Sequence, residues 1–245
     1  MIREAVKRGF RSLGVYLAST YRIGLDVELD LARLAAHNPL KTILDVGGNF
    51  GQTALRFAHA FPAAKIFTFE PIPTSFARLA NATRSNRRIK GFNIALGDAT
   101  GSVDMNLTSS AGTNSIKAVN ASTGTIQVTV KRGDEVCESN GIDSIDLLKI
   151  DVEGYELQVL SGFSKMLNEG RIRFVYAECV FRPNDVYPYT YFFDMHKALD
   201  AAGFCFVSYY AESFMLKNGC SHGNVLYALC SKLPAQVHGS VSNIF

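Results

Sequence analysis

Short apolar segments alternate with amphipathic segments along most of the chain. The apolar runs are typical of buried strands, and the segments between them place apolar residues at helical spacing. Apolar strands separated by helices predict an α/β fold with a parallel sheet that is buried on both faces. The predicted strands are 42–46, 65–70, 91–97, 146–151, 173–179, 204–210 and 224–230, and the predicted helices are 53–61, 74–86, 155–167 and 190–202.

Two other patterns interrupt or extend this alternation. Residues 102–107 and 125–130 alternate as the two strands of an inserted β-ribbon, and residues 2–36 predict one or two helices. A short link joins the last two strands and permits an antiparallel pair, so we expect one antiparallel strand in a mostly parallel, seven-stranded Rossmann-like sheet. The expected organisation is an N-terminal helical extension, one α/β domain and a C-terminal tail, over 1–38, 39–232 and 233–245.

Composition narrows the class of protein only modestly. The net charge of +3 is too small to indicate a nucleic-acid partner. No apolar run reaches the roughly 18 residues of a membrane span, and no signal peptide is recognised at the start. The five cysteines show no metal-ligand spacing, so we expect reduced thiols in a cytoplasmic protein. Homo-oligomer formation stays open. We expect the basic segment 3–17 to pack over the functional site or a partner subunit, with peripheral membrane contact as the alternative.

A glycine-rich turn follows the first predicted strand, where a Rossmann-like sheet holds its nucleotide. The turn reads DVGGNFG over 45–51. A dinucleotide fingerprint needs glycine at positions 47, 49 and 52, but Asn49 and Gln52 occupy two of these. The side chain of Asn49 fills the space that a pyrophosphate needs, which disfavours NAD and FAD. The lysine of a phosphate-binding P-loop is absent as well.

Acidic residues lie at or just past the ends of several predicted strands. Glu70 ends the second strand, 19 residues after Gly51, where a carboxylate accepts hydrogen bonds from ribose hydroxyls. An acidic edge of this kind repels a pyrophosphate and attracts a sulfonium cation, so the charge pattern favours S-adenosylmethionine as the cofactor. The other acids of this edge are Asp45, Asp98, Asp151, Glu153 and Glu178.

These stretches together resemble the FkbM-type methyltransferases, a family that depends on S-adenosylmethionine. The resemblance covers about residues 42–230 and implies a class I methyltransferase fold. It also implies O-methylation of a hydroxyl on a saccharide, glycoconjugate or related natural product. The family usually reads DVGAN, and Gly48 replaces the alanine, a change that we do not expect to impair the turn. The matching stretches are DVGGNFGQTALRFA (45–58), FTFEPIPTSFARLANATRSN (67–86), NIALGD (93–98), DLLKIDVEGYELQVLSG (146–162), VYAE (175–178) and NVLYAL (224–229).

The resemblance implies a cofactor-binding role for the turn and the strand ends. The turn is expected to wrap the methionine half of the cofactor, Glu70 to hold the ribose, and residues after the third strand to flank the adenine. Asn114 and Ser115, at the tip of the ribbon, either reach the cofactor or simply face water. The implied cofactor-binding residues are Asp45, Gly47, Gly48, Asn49, Gly51, Glu70, Pro71, Asn93, Ala95, Asp98 and Asp151.

Methyl transfer to a hydroxyl needs an aligned nucleophile and benefits from a general base. Asp151, after the fourth main strand, is the first candidate for that base, followed by Glu153, Glu178 and His222. Lys149 alternates with Asp151 along the strand, so both side chains are expected on one face, where the lysine can pair with an acid.

Several alternatives remain open. Glu153 and Glu156 lie near a helix start, where acids are favoured by the helix dipole alone. The aromatic run over 180–193 provides either a platform for a sugar ring or packing for the next helix. No tight acidic cluster stands out in the sequence, so we expect no metal. An N-methyltransferase, a non-catalytic protein that binds S-adenosylmethionine and an NAD oxidoreductase are the competing functions.

Overall fold

The computed structural model describes residues 23–107, 124–181, 189–215 and 220–233. The described part folds into two sheets, with helices between most of the strands of the larger one. In chain order the elements are α1 (Val27–Leu34), β1 (Thr42–Val46), α2 (Gln52–Ala60), β2 (Lys65–Phe69), α3 (Pro73–Thr83), β3 (Ile89–Phe92), β4 (Ala95–Gly97), β5 (Gly101–Leu107), β6 (Gly124–Arg132), α4 (Gly133–Ser139), β7 (Ile145–Ile150), α5 (Glu156–Gly162), α6 (Ser164–Asn168), β8 (Ile172–Val180), α7 (Phe192–Ala201), β9 (Phe204–Met215), β10 (Cys220–Leu229) and a 3₁₀ turn (Cys230–Lys232).

The larger sheet has seven strands in the order β3-β2-β1-β7-β8-β10-β9. Neighbouring strands run parallel from β3 to β8, and β10 runs antiparallel to both β8 and β9. The prediction of a mostly parallel, seven-stranded sheet with one antiparallel strand is therefore confirmed. The order reverses between β1 and β7, which is where ligands bind in sheets of this kind.

Successive residues of the central strands pack into two different cores, one on each face of the sheet. Ile43 and Leu147 are buried with α1 and α2, whereas Leu44 and Leu148 are buried with α5, α6 and α7. Side chains alternate between the faces of a strand, so a strand covered on both faces must be apolar at nearly every position. This is why the central strands were recognisable as continuous apolar runs.

The prediction of a single strand over 91–97 is wrong, because the structure divides this segment between the two sheets. β3 ends at Phe92 as the edge strand of the large sheet, and β4 begins at Ala95 in a small sheet of order β4-β6-β5. Asn93 lies at the break and donates through Nδ2 to the carbonyl oxygens of Glu70 (2.8 Å) and Pro71 (2.9 Å). The predicted β-ribbon is confirmed as the antiparallel pair β5–β6.

Two helix predictions also need correction. The single helix predicted over 155–167 is divided into α5 and α6, and the break lies at the fully buried Phe163. Gly162, just before the break, packs so closely on the backbone of Gly97 that a Cβ there would overlap its carbonyl oxygen. Helix α4, which the pattern did not predict, follows β6 directly and buries Val136 and Cys137.

Only the end of the predicted N-terminal helical segment falls within the described residues. It forms α1, which buries Leu31 and Leu34 against the sheet, while Leu25 and Leu29 are exposed. The basic segment 3–17 lies outside the described residues, as does the tail from 234 onward. No helix in the described ranges is long and apolar enough to cross a membrane.

The cysteine prediction is wrong for one pair, because Cys205 and Cys230 form a disulfide. Cys205 lies opposite Ala228 in the β9–β10 pair, so the chain brings Cys230 within a Cα–Cα distance of 5.4 Å. Cys137 and Cys179 are buried free thiols, as expected. Disulfides are rare in cytosolic proteins, so the pair gives no support to the cytoplasmic location predicted from cysteine usage.

Candidate active site

The register of the large sheet aligns four predicted site residues in one row at its carboxyl edge. Val46 pairs with Phe69 on one side and with Ile150 on the other, and Ile150 pairs with Ala177. The row lies one residue further along each strand. From β2 across to β8 it consists of Glu70, Gly47, Asp151 and Glu178.

The glycine turn brings the backbone of the first strand against the loop that follows β7. Gly47 has a φ of 86°, and a Cβ at this position would overlap the carbonyl oxygen of Asp151. Asn49 also has a positive φ of 45°, which asparagine tolerates better than most residues. Gly51, with a φ of 89°, ends the turn as the N-cap of α2. Gly47 therefore meets both a conformational and a steric requirement.

Gly48 leaves room for a side chain that the sequence did not mark as functional. A Cβ at Gly48 would overlap Oγ1 of Thr68, which donates a hydrogen bond of 2.9 Å to Oδ2 of the buried Asp45. The expectation that Gly48 does not impair the turn stays a prediction. In this chain Thr68 occupies the space that an alanine methyl group at position 48 would fill. The side chain that position 48 tolerates therefore depends on the residue at position 68.

A buried lysine on β7 links that strand to the glycine turn. Nζ of Lys149 lies 3.2 Å from Oδ1 of Asp45 and 3.3 Å from Oδ2 of Asp151, and it donates to the carbonyl oxygen of Gly47 at 3.0 Å. Burial alone would lower the pKa of Lys149, but the charges of Asp151 and Asp45 raise it above its usual value. The predicted pairing of Lys149 with an acid is confirmed, and it involves two acids.

Glu70 is buried at the end of β2, with both carboxylate oxygens facing backbone amides. Its Oε2 accepts a hydrogen bond from the amide of Asn49, and its Oε1 from that of Ile72, each at 2.9 Å. Burial raises the pKa of Glu70 to about 7 despite these two hydrogen bonds and the charge of Lys149. Each oxygen can accept a second hydrogen bond, which suits a pair of ribose hydroxyls.

The predicted adenine-side residues are distributed over two environments. Asn93 and Pro71 hold the loop after Glu70 through the hydrogen bond described above. Ala95 is buried beside Ile72 in the core of the small sheet. Asp98 accepts a hydrogen bond of 3.3 Å from the hydroxyl of Tyr155, and its carbonyl oxygen accepts one from Arg132. Asn93 therefore positions the Glu70 loop with its own side chain, and its role at the adenine stays a prediction.

Three carboxylates converge at the β8 end of this row. One oxygen from each of Asp151, Glu153 and Glu178 lies within 4.8 Å of the others. Burial, followed by the charges of Glu178, Asp151 and Glu156, raises the pKa of Glu153 to about 9. The expectation that no tight acidic cluster exists is therefore wrong. It failed because Glu178 joins the other two only through the pairing of β7 with β8.

The remaining predictions can be placed only in part. His222 pairs through its backbone with Val180 in the β10–β8 ladder, and its side chain lies outside what the structure describes. Asn114 and Ser115 lie outside the described residues. Within the aromatic run, Phe181 stacks on Phe192 with a centroid distance of 4.6 Å, so this part of the run packs the start of α7.

The polar groups at this edge of the sheet fit S-adenosylmethionine. Oδ1 of Asn49 is buried and accepts no hydrogen bond from the described part of the chain, so it is placed to receive a ligand donor. The acids Asp45, Glu70 and Asp151 surround the turn, and Lys149 is the cation paired with two of them. Such an environment suits a sulfonium and an ammonium better than two linked phosphates.

The strand order, the glycine turn and the acidic carboxyl edge together define the class I methyltransferase fold. The chain belongs to the FkbM methyltransferase family, because the sequence profile described as the methyltransferase FkbM domain matches residues 45–206, about two thirds of its length. The resemblance drawn from the motifs is confirmed. This family uses S-adenosylmethionine as its methyl donor, in agreement with the predicted cofactor.

Two curated relatives illustrate the family. The chain is 31% identical over 156 residues to the 2-O-methyltransferase NoeI of Sinorhizobium fredii, covering 57% of this chain and 63% of that protein. It is 29% identical over 143 residues to the hexuronic acid methyltransferase AglP of Haloferax volcanii, covering 58% of each. The chain thus spans about three fifths of the length of these relatives.

The chain is also similar to solved structures that are more distant in sequence. Fibrillarin from Aeropyrum pernix, in complex with S-adenosyl-L-methionine, is 16% identical, with a TM-score of 0.47 over 82% of this chain and 74% of that one. The N-methyltransferase NodS from Bradyrhizobium japonicum, in complex with S-adenosyl-L-homocysteine, is 10% identical, with a TM-score of 0.48 over 83% of this chain and 86% of that one.

Proposed function

We propose that this chain transfers the methyl group of S-adenosylmethionine to a hydroxyl of a saccharide, glycoconjugate or related natural product. The observation that carries the proposal is the row of Glu70, Gly47, Asp151 and Glu178 along the carboxyl edge, where Glu153 joins Asp151 and Glu178 in a cluster of three carboxylates. The similarity to a 2-O-methyltransferase and to a hexuronic acid methyltransferase supports a carbohydrate acceptor.

The first half of the row serves the cofactor. The turn from Asp45 to Gly51 surrounds the methionine half, and Glu70 accepts hydrogen bonds from the ribose hydroxyls when it is ionised. Asn93 fixes the Glu70 loop, and Asp98 lies on the adenine side. When bound, S-adenosylmethionine supplies an electrophilic methyl group whose leaving sulfur needs no proton.

The second half of the row serves the acceptor. Asp151 exposes 39% of its side chain, whereas Glu178 is only 6% exposed, so Asp151 is the more accessible to a substrate hydroxyl. The ion pair with Lys149 fixes the direction of the Asp151 carboxylate. Asp151 accepts the hydroxyl proton as the methyl group is transferred. Glu153 retains a proton at neutral pH because its pKa is raised to about 9.

The test has two independent stages. The first measures binding of S-adenosylmethionine and NADH to the purified chain by calorimetry, together with a Glu70→Ala variant. The proposal expects binding of S-adenosylmethionine, weaker binding by the variant and no comparable affinity for NADH. Tighter binding of NADH than of S-adenosylmethionine would contradict the cofactor assignment.

The second stage follows transfer of a tritiated methyl group to a panel of neutral sugars, uronic acids and glycolipid fractions. We expect Asp151→Asn to lower kcat by about 10²- to 10⁴-fold, the usual range for losing a general base, while binding of the cofactor is retained. Asp104→Asn, an exposed aspartate on β5, is the matched control. Full kcat in Asp151→Asn would point instead to an amine acceptor, which needs no strong base. Binding without transfer to any acceptor would point to a non-catalytic role.

A further inference from the structure

Glu156 is buried to an extent that its location at a helix start does not explain. It is the first residue of α5, where an acid is favoured by the helix dipole, yet only 1% of it is exposed. A dipole partner has no need to be buried, and burying a carboxylate is costly unless it is well hydrogen-bonded. The contacts of the side chain therefore have to account for its position.

One carboxylate oxygen of Glu156 holds the loop that carries the acidic cluster. Oε1 accepts hydrogen bonds from the amide of Val152 at 3.2 Å and from that of Gly154 at 3.0 Å. These two amides flank Glu153, which has a φ of 55° in the left-handed region that residues with a Cβ disfavour. The backbone shape that directs Glu153 towards Asp151 is thus secured from both sides by a single oxygen.

The other oxygen reaches the loop that follows β8. Oε2 accepts a hydrogen bond from Oγ1 of Thr190, which is 4% exposed. The carbonyl oxygen of Thr190 accepts in turn from the amide of Val180, at the end of β8 and two residues past Glu178. Glu156 therefore joins the two loops that flank the acidic cluster, one after β7 and one after β8.

We propose that Glu156 is a positioning residue for methyl transfer, which holds Glu153 and Asp151 against Glu178 without touching the substrate. The inference rests on the proposed function for its effect on the rate, but the geometry of the loop can be tested without any substrate. Glu156→Ala removes all three hydrogen bonds, and Glu156→Gln keeps an acceptor and a similar shape. Thr190→Val removes only the link to the second loop.

The matched control is Glu135, the third residue of α4. It also accepts a hydrogen bond from a threonine hydroxyl, that of Thr100, but it is exposed and is not part of the acidic cluster. We expect Glu135→Ala to leave the rate unchanged. We expect Glu156→Ala to lower kcat by about 100-fold through misplaced carboxylates, Glu156→Gln to restore most of that loss, and Thr190→Val to fall between them. Affinity for S-adenosylmethionine should stay close to that of the unmodified protein in all four variants.

Amide hydrogen exchange of the peptide over 151–155 provides the readout that does not depend on activity. We expect exchange at Val152 and Gly154 to become at least about tenfold faster in Glu156→Ala. Unchanged exchange would overturn the inference. Faster exchange with unchanged kcat per folded molecule would also overturn it, since Glu156 would then only stabilise the fold. If the unmodified protein transfers no methyl group to any acceptor, the proposed function fails, and exchange still decides whether Glu156 holds the loop.

Discussion

The raised pKa of Glu70 predicts a specific change in how stability depends on pH. The pKa of this buried carboxyl is about 7, against a usual value of 4.5. Between pH 4.5 and 7 the folded chain keeps a proton on Glu70 that the unfolded chain has lost. The stability that Glu70 contributes is therefore fully present below pH 4.5 and is lost as the pH rises through 7. Glutamine cannot ionise, so Glu70→Gln removes this loss.

The size of the effect follows from the shift. Each pKa unit corresponds to about 1.4 kcal/mol, so a shift of about 2.5 units makes the ligand-free protein lose roughly 2.5 kcal/mol between pH 5 and pH 8 through Glu70 alone. Glutamine offers one acceptor oxygen to the amides of Asn49 and Ile72 where the carboxylate offers two, which costs about 1–3 kcal/mol at every pH. The signature is therefore the difference in slope and not the absolute stability.

The assay is urea unfolding of both proteins at several pH values from 5 to 8, without ligand. We expect the difference in unfolding free energy between Glu70→Gln and the unmodified protein to move in favour of the variant by about 2–3 kcal/mol across this range. Groups that titrate elsewhere cancel in this comparison. Parallel pH profiles for the two proteins would refute the assigned burial of an ionisable Glu70. In the same pH range, affinity for S-adenosylmethionine should rise with pH in the unmodified protein and stay flat in the variant.

Three further predictions concern the turn, the disulfide and metal ions. Gly48→Ala should destabilise the chain by about 1–3 kcal/mol in urea unfolding, because its methyl group overlaps Thr68, and Thr68→Ser should not relieve the clash since the hydroxyl remains; an unchanged midpoint would contradict this. Cys205→Ser should lower stability by roughly 3–4 kcal/mol, the chain-entropy value for cysteines 25 residues apart, and a reductant should have the same effect on the unmodified protein but none on the variant. Chelation by EDTA should leave methyl transfer unchanged, because Lys149 neutralises Asp151 and Glu153 is protonated at neutral pH; loss of activity restored by Mg²⁺ would show that the acidic cluster holds a cation instead.

The parts of the site that were predictable are the first strand, the turn that follows it and Glu70 after the second strand. The strand over 42–46 was predicted with its observed bounds, and Gly47 and Gly51 both adopt the positive φ that a tight strand-to-helix turn requires. Glu70 was recognisable because its separation from the turn is set by one helix and one strand. Each of these features depends on neighbours close in sequence.

The parts that were missed depend on contacts across the sheet. Thr68 fills the space above Gly48 only because β2 pairs with β1, and nothing near Thr68 in the sequence signals it. Thr190 contacts Glu156 from a segment that follows β8. Asn93 binds the backbone of the Glu70 loop just past the end of β3, a contact that the apolar pattern of 91–97 does not signal.

The sequence alone determined the class of fold, the family and the place of the glycine-rich turn, because hydrophobic period and turn chemistry are local properties. Only the tertiary structure decided which acids meet, how far burial raises the pKa values of Glu70 and Glu153, and that Cys205 is bonded to Cys230. These properties depend on distance and burial in three dimensions. A change of register by one residue between β7 and β8 would leave the sequence pattern intact and separate Asp151 from Glu178.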